Sequence, residues 1–202
     1  SEVISDFSEE KNTADKIVFT NAKNKLGTLR LTVEFPSGLN NMVVKPEVKF
    51  IQNVQLIRLS LVTEFTSAFT DVIDSKGFHL SAPFAECRPG KEGFINRNEK
   101  NETVVTHPEI SSIQLNGAKN TAWFNLDYSA DHPLLYFPLL KKSENKFVDF
   151  SESVYSKGDV LGGEITFSSA NITELPVLSR FPDRYRSAMI WTEHADFASV
   201  RT

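Results

Sequence analysis

Near the end of the chain, Ile190-Trp191-Thr192-Glu193-His194-Ala195-Asp196-Phe197 leads an apolar run straight into two carboxylates and an imidazole. In extended geometry alternate side chains share a face, so His194 and Asp196 point the same way and offer a nitrogen and an oxygen to one divalent cation. Glu193 and Asp196 are the groups there that can act as acid or base. A catalytic zinc takes three protein ligands plus water, and the other histidines, His79, His107 and His132, show no His-x-x-x-His spacing that would complete the set. The competing reading makes 188–192 the last strand of the domain and Glu193, His194 and Asp196 its solvated end.

Two other groups carry chemistry. Asp127, Ser129 and Asp131 alternate beside His132, a spacing of oxygens that suits Ca²⁺, although the glycine and distal glutamate of an EF-hand are missing. A turn between two strands explains Asp and Ser in that stretch better, because both favour turns through local hydrogen bonds. Trp123, Tyr128, Tyr136 and Trp191, with Tyr155 and Tyr185, supply rings on which the apolar faces of sugars can stack, the alternative being ordinary core packing. Cys87 is the single cysteine, which excludes an internal disulfide and a cysteine-based zinc site.

The elements that must position these groups are strands. The stretch 27–36, GTLRLTVEFP, places Leu29, Leu31, Val33 and Phe35 on one face and Arg30, Thr32 and Glu34 on the other. In 53–65, NVQLIRLSLVTEF, Ile57, Leu59, Leu61 and Phe65 oppose Arg58, Ser60 and Glu64, as in a long central strand with one wet face. Pro46 in 42–50 marks an edge strand or a break, and Gly162-Gly163 marks a bulge or a close backbone approach. Signals at 103–107, 110–115 and 121–128, with Asn116-Gly117 at a hairpin position, describe a meander. Residues 81–101 are rich in Pro, Gly, Asn and charge and read as a long surface excursion.

Composition agrees. The 202 residues include 16 Phe against 2 Met and 2 Trp, a core weighted towards rings that fit pleated surfaces. A net charge of −4 gives no broad cationic field for a phosphate backbone, so nucleic acid is not an expected partner. No apolar run reaches the roughly 20 residues of a membrane-spanning helix. The start at Ser1 resembles a processed mature end, and the sequons at Asn101 and Asn171 mark exposed loops.

The passage from an apolar strand into Thr and acidic residues, WTEHAD (191–196), resembles the first barrel strand of polysaccharide deacetylases, where Thr-Phe-Asp-Asp supplies a base and a metal ligand. That resemblance implies Glu193 or Asp196 as the catalytic base and His194 with Asp196 as ligands of a divalent metal ion. The adjacent Asp pair and the family's later motifs have no counterpart here. Its main implication is architectural: residues 1–202 would form the N-terminal sandwich of a longer polysaccharide-modifying enzyme, not catalytic alone.

The expectation is therefore an all-β, antiparallel β-sandwich, jelly-roll or immunoglobulin-like, of roughly ten strands with little helix. Residues 1–14 form a flexible leader, 15–180 the sandwich, and 181–202 its closing strand or the start of a downstream domain. The expected function is that of an accessory, carbohydrate-binding domain of a secreted or periplasmic bacterial protein, partnered by polysaccharide or by a downstream catalytic domain. A metal-dependent deacetylase-type fragment and a surface domain binding another protein through strand edges are the alternatives.

Overall fold

Alternation of apolar and polar residues becomes strand along most of the chain in a computed structural model that describes residues 3–37, 40–66, 68–74, 79–81, 84, 86–96, 103–106, 109–131, 133–135, 148–150 and 152–168. The first nine strands are β1 (Ser8–Asn12), β2 (Lys16–Asn21), β3 (Gly27–Glu34), β4 (Asn41–Phe50), β5 (Val54–Leu56), β6 (Arg58–Glu64), β7 (Asp71–Asp74), β8 (His79–Ser81) and β9 (Glu86–Cys87). The others are β10 (Gly93–Asn96), β11 (Thr103–Thr106), β12 (Ser112–Asn116), β13 (Thr121–Tyr128), β14 (Pro133–Leu135), β15 (Val148–Phe150), β16 (Ser153–Tyr155), β17 (Val160–Gly162) and β18 (Ile165–Ser168). Among the described residues the only helical element is a 3-10 turn at Ser129–Asp131, and no helix is long and apolar enough to cross a membrane.

The larger sheet runs β1-β2-β3-β4-β18-β11-β10-β7-β8, with β17 also pairing β4; the smaller runs β6-β13-β12-β9. Both are antiparallel throughout, and the short ribbons β14-β15 and β5-β16 complete the described sheets. One core joins the two sheets face to face. Val72, Phe94, Val104 and Ile165 come from the larger sheet, and Ile113, Leu115, Ala122, Phe124 and Leu126 from the smaller, with Phe69 and Ile110 between. The chain is thus an all-β antiparallel sandwich.

The phenylalanine-rich composition is spent here. Phe65 lies 5.1 Å from Phe69, Phe69 lies 6.2 Å edge-on to Phe94, and Phe124 lies 5.8 Å edge-on to Phe167, centroid to centroid. Each such ring contributes about 2–3 kcal/mol by leaving water, and the edge-on geometry adds to that. A second, smaller core gathers Val48, Phe50 and Leu56 with Tyr155, whose ring stacks on Phe50 at 4.8 Å.

Pro46 sits inside an unbroken β4 at the middle of the larger sheet. The break falls instead on its neighbour: β18 pairs Asn41–Val44, β17 pairs Glu47–Lys49, and Gly163 between them donates its N–H to the Pro46 carbonyl at 3.1 Å. In an antiparallel ladder a residue's N–H and C=O face the same neighbour, so the N–H that proline lacks points at this gap in the pairing. Gly163 is also a close approach, since a Cβ there would stand 2.8 Å from Ile110 Cγ2 and 2.9 Å from Leu126 Cδ2.

Other local expectations shift. The long strand expected at 53–65 divides into β5 and β6 at Ile57, which is 61% exposed and gives its carbonyl to the Ser129 N–H. Leu59 and Leu61 do face the core, as the alternation predicted. Within 1–14, Ser8–Asn12 pairs with β2 as a charged edge strand. Within 81–101, Gly93–Asn96 is a fully buried strand, because Phe94 and Ile95 override the polar residues around them. The meander is a single hairpin, β12-β13, since β11 belongs to the larger sheet.

Candidate functional site

The outer face of the smaller sheet carries the chemistry. On β6 the core takes Leu59 and Leu61, which leaves Arg58, Ser60 and Val62 facing outward. On β13 the same rule sends Ala122 and Phe124 inward and Trp123 and Asn125 outward. Trp123 and Tyr128 are five positions apart and in a regular strand would lie on opposite faces. A bulge prevents this: Asn125 pairs Ser60 and Asp127 pairs Leu59, so Leu126 is inserted as an extra residue and Tyr128 comes opposite Arg58. The bulge gathers both rings on one face.

Arg58 stands between them. Its guanidinium carbon lies 4.3 Å from the Trp123 ring centroid and 4.7 Å from that of Tyr128, and the Arg88 guanidinium carbon lies 4.9 Å from Tyr128. Arg58 Nε donates to Ser60 Oγ at 3.0 Å and to Asn125 Oδ1 at 2.9 Å, and Nη2 donates to Gln114 Oε1 at 3.0 Å. Asn125, wholly buried, is the hub: it also accepts from Ser60 Oγ at 2.6 Å and donates to Ser112 Oγ at 2.8 Å. Gln114 Nε2 and Asn116 Nδ2 donate to the two carboxylate oxygens of Glu86 at 3.0 and 3.2 Å. Arg88 meets Asp131 at 3.4 Å, and Asp131 accepts from Ser111 Oγ at 2.6 Å. Burial pulls the Arg58 pKa down and Arg88 adds to this, while Tyr128, Asp131 and Glu86 oppose it. A guanidinium nonetheless stays charged at neutral pH.

Glu86 and Arg88 also border an open cleft of about 500 Å³ at the sheet edges, lined otherwise by Val72, Asp74, Leu80, Cys87 and Pro89. Burial, and after it the charge of Asp74, pushes the Cys87 thiol up to about 11. It remains a thiol at neutral pH and is not poised as a nucleophile.

Of the residues selected from sequence, Trp123 and Tyr128 are brought together on this face. Tyr136, Trp191, Glu193, His194 and Asp196 lie outside the described residues, as do His107 and His132. The alternating oxygens at 127–131 separate: Asp127 Oδ2 accepts from Tyr155 Oη at 2.8 Å, Ser129 is buried, and Asp131 faces Ser111 and Arg88. Among the described residues no three His, Cys, Asp or Glu side chains form a metal-binding group. Sequence reasoning missed Arg58, Asn125 and Gln114, which join only through strand pairing; the available signal was Arg58 and Ser60 on the polar side of their strand. No known protein-family model matches the chain, and no curated protein matches it.

Proposed function

We propose that the chain is a glycan-binding β-sandwich whose outer β6-β13-β12-β9 face holds an extended saccharide, as an accessory domain of a secreted or periplasmic polysaccharide-modifying protein. The observation that supports this is the bulge in β13. It brings Tyr128 onto the face of Trp123, so that two rings stand on one side of the sheet. Beside the rings stand Gln114, Asn116 and Glu86, an amide and carboxylate row able to exchange hydrogen bonds with vicinal hydroxyls. Rings for the apolar face of a sugar and convergent polar groups for its hydroxyls are what recognition of a saccharide requires. Arg58 lies over both rings and Arg88 also lies over Tyr128, so a sugar stacks on the remaining face of Trp123 or bonds to the polar edge of the row.

The test is titration of the purified chain against immobilised and soluble polysaccharides, with Trp123→Ala and Gln114→Ala alongside. Binding that weakens at least tenfold in Trp123→Ala, with the variant still folded by circular dichroism, supports the assignment. A folded protein that retains no polysaccharide, or a Trp123→Ala variant that binds as the parent does, overturns it.

A further inference from the structure

We infer that the glycan is acidic and that Arg58 receives its carboxylate, an assignment that rests on the glycan-binding reading and names the ligand class of that same face. A guanidinium has five N–H donors. Arg58 commits the Nε donor to Ser60 and Asn125 and one Nη2 donor to Gln114, which leaves two on Nη1 and one on Nη2. Every one of those partners is a neutral oxygen. No carboxylate among the described residues lies within ion-pair distance of Arg58, although Glu86 and Asp131 are near enough to act on it electrostatically.

This is an unusual way to hold a cation. A partly buried arginine is ordinarily neutralised by a carboxylate, and here one is at hand; instead Glu86 is tied to Gln114 and Asn116, and Asp131 to Ser111 and Arg88. Two rings and three side chains fix the plane of the fork, and no carboxylate among the described residues pairs with it. Planar, preoriented donors match the two oxygens of a carboxylate, and partial withdrawal from water strengthens the bond. Local charge also selects among anions. The two arginines Arg58 and Arg88 face the two carboxylates Glu86 and Asp131, and Glu64 at the far end of β6 adds a further negative charge to the same face, so no cationic excess stands there. Such a surface accepts an isolated charge of a uronic acid residue better than a dense polyanion, which needs a cationic field.

The probes are oligosaccharides that carry one galacturonate, glucuronate, mannuronate or guluronate residue among neutral sugars, each paired with the same oligosaccharide after its carboxyl is reduced to a primary alcohol. Calorimetric titration of the full chain is expected to show at least one uronate bound tenfold or more tighter than its reduced partner. That preference falls as salt rises, disappears in Arg58→Gln, and is partly kept in Arg58→Lys, whose point charge survives without the fork. Circular dichroism and thermal melting establish that both variants fold. Equal binding of acidic and reduced forms, or a preference surviving in Arg58→Gln, overturns the carboxylate assignment and leaves the glycan reading standing. A sulfated oligosaccharide or a polyglutamate peptide bound as tightly as any uronate also overturns it. Failure of the folded protein to bind either member of every pair overturns the carboxylate assignment, and failure to retain any polysaccharide as well removes the glycan reading.

Discussion

Replacing Asn125 by alanine removes the buried side chain through which β13 bonds to both β6 and β12 beneath the aromatic row. Asn125 is wholly buried and takes part in three hydrogen bonds, from Arg58 Nε at 2.9 Å, from Ser60 Oγ at 2.6 Å and to Ser112 Oγ at 2.8 Å. A neutral bond contributes about 1 kcal/mol net and one to a charged group about 1.5–3. Arg58 Nε keeps Ser60 as a second acceptor at 3.0 Å, so its loss belongs at the low end. The sum is about 3.5 kcal/mol, equivalent to a fall in melting temperature of about 7–14 °C for a domain of this size. Urea titration followed by circular dichroism measures it. The double variant Asn125→Ala/Ser60→Ala measures the coupling, expected to exceed about 0.5 kcal/mol because the two side chains share a bond. A loss below about 0.5 kcal/mol in the single variant, the usual range for a surface change, refutes the hub.

Gly163→Ala forces a Cβ against the buried Ile110 and Leu126 and is expected to cost about 1–3 kcal/mol by overpacking; an unchanged urea midpoint contradicts this. Burial, then the hydrogen bond to Asp127, pushes Tyr155 up to about 12 from 10.0, so the folded state favours the protonated phenol. Its contribution to stability is complete below pH 10 and is lost as pH climbs towards 12. The difference in unfolding free energy between the parent and Tyr155→Phe should therefore shrink across that interval, and a constant difference argues against the linkage. Cys87, at about 11 against an ordinary 9.0, should react with iodoacetamide at pH 8 about a hundredfold more slowly than in the urea-unfolded chain. Equal rates would show an unperturbed thiol.

How much of this was legible depended on the range of the physics involved. Facial alternation is local, so Leu59 and Leu61 against the core, and Arg58 and Ser60 away from it, were readable from the letters. Long-range pairing is not. Pro46 looked like an edge because proline lacks a donor, but only the order β18-β4-β17 reveals that the missing donor meets a gap. Gly93–Asn96 was hidden by its polar neighbours, since four buried residues leave too short a period to detect. Ile57 was assigned to the core face by a parity that the bend between β5 and β6 interrupts.

The site shows the limit most sharply. Trp123 and Tyr128 were both selected as ring donors, yet parity alone places them on opposite faces, and on that basis they form no platform. What unites them is one extra residue, Leu126, whose side chain is drawn into the core with Phe124 while the pairing with β6 slips by one. Hydrophobic burial on the inside thus determines which groups meet on the outside. Once Tyr128 is turned, Arg58 lies between two rings, with no carboxylate among the described residues within ion-pair distance. The arrangement on which the proposed acid recognition rests therefore follows from the packing of a leucine on the other side of the sheet.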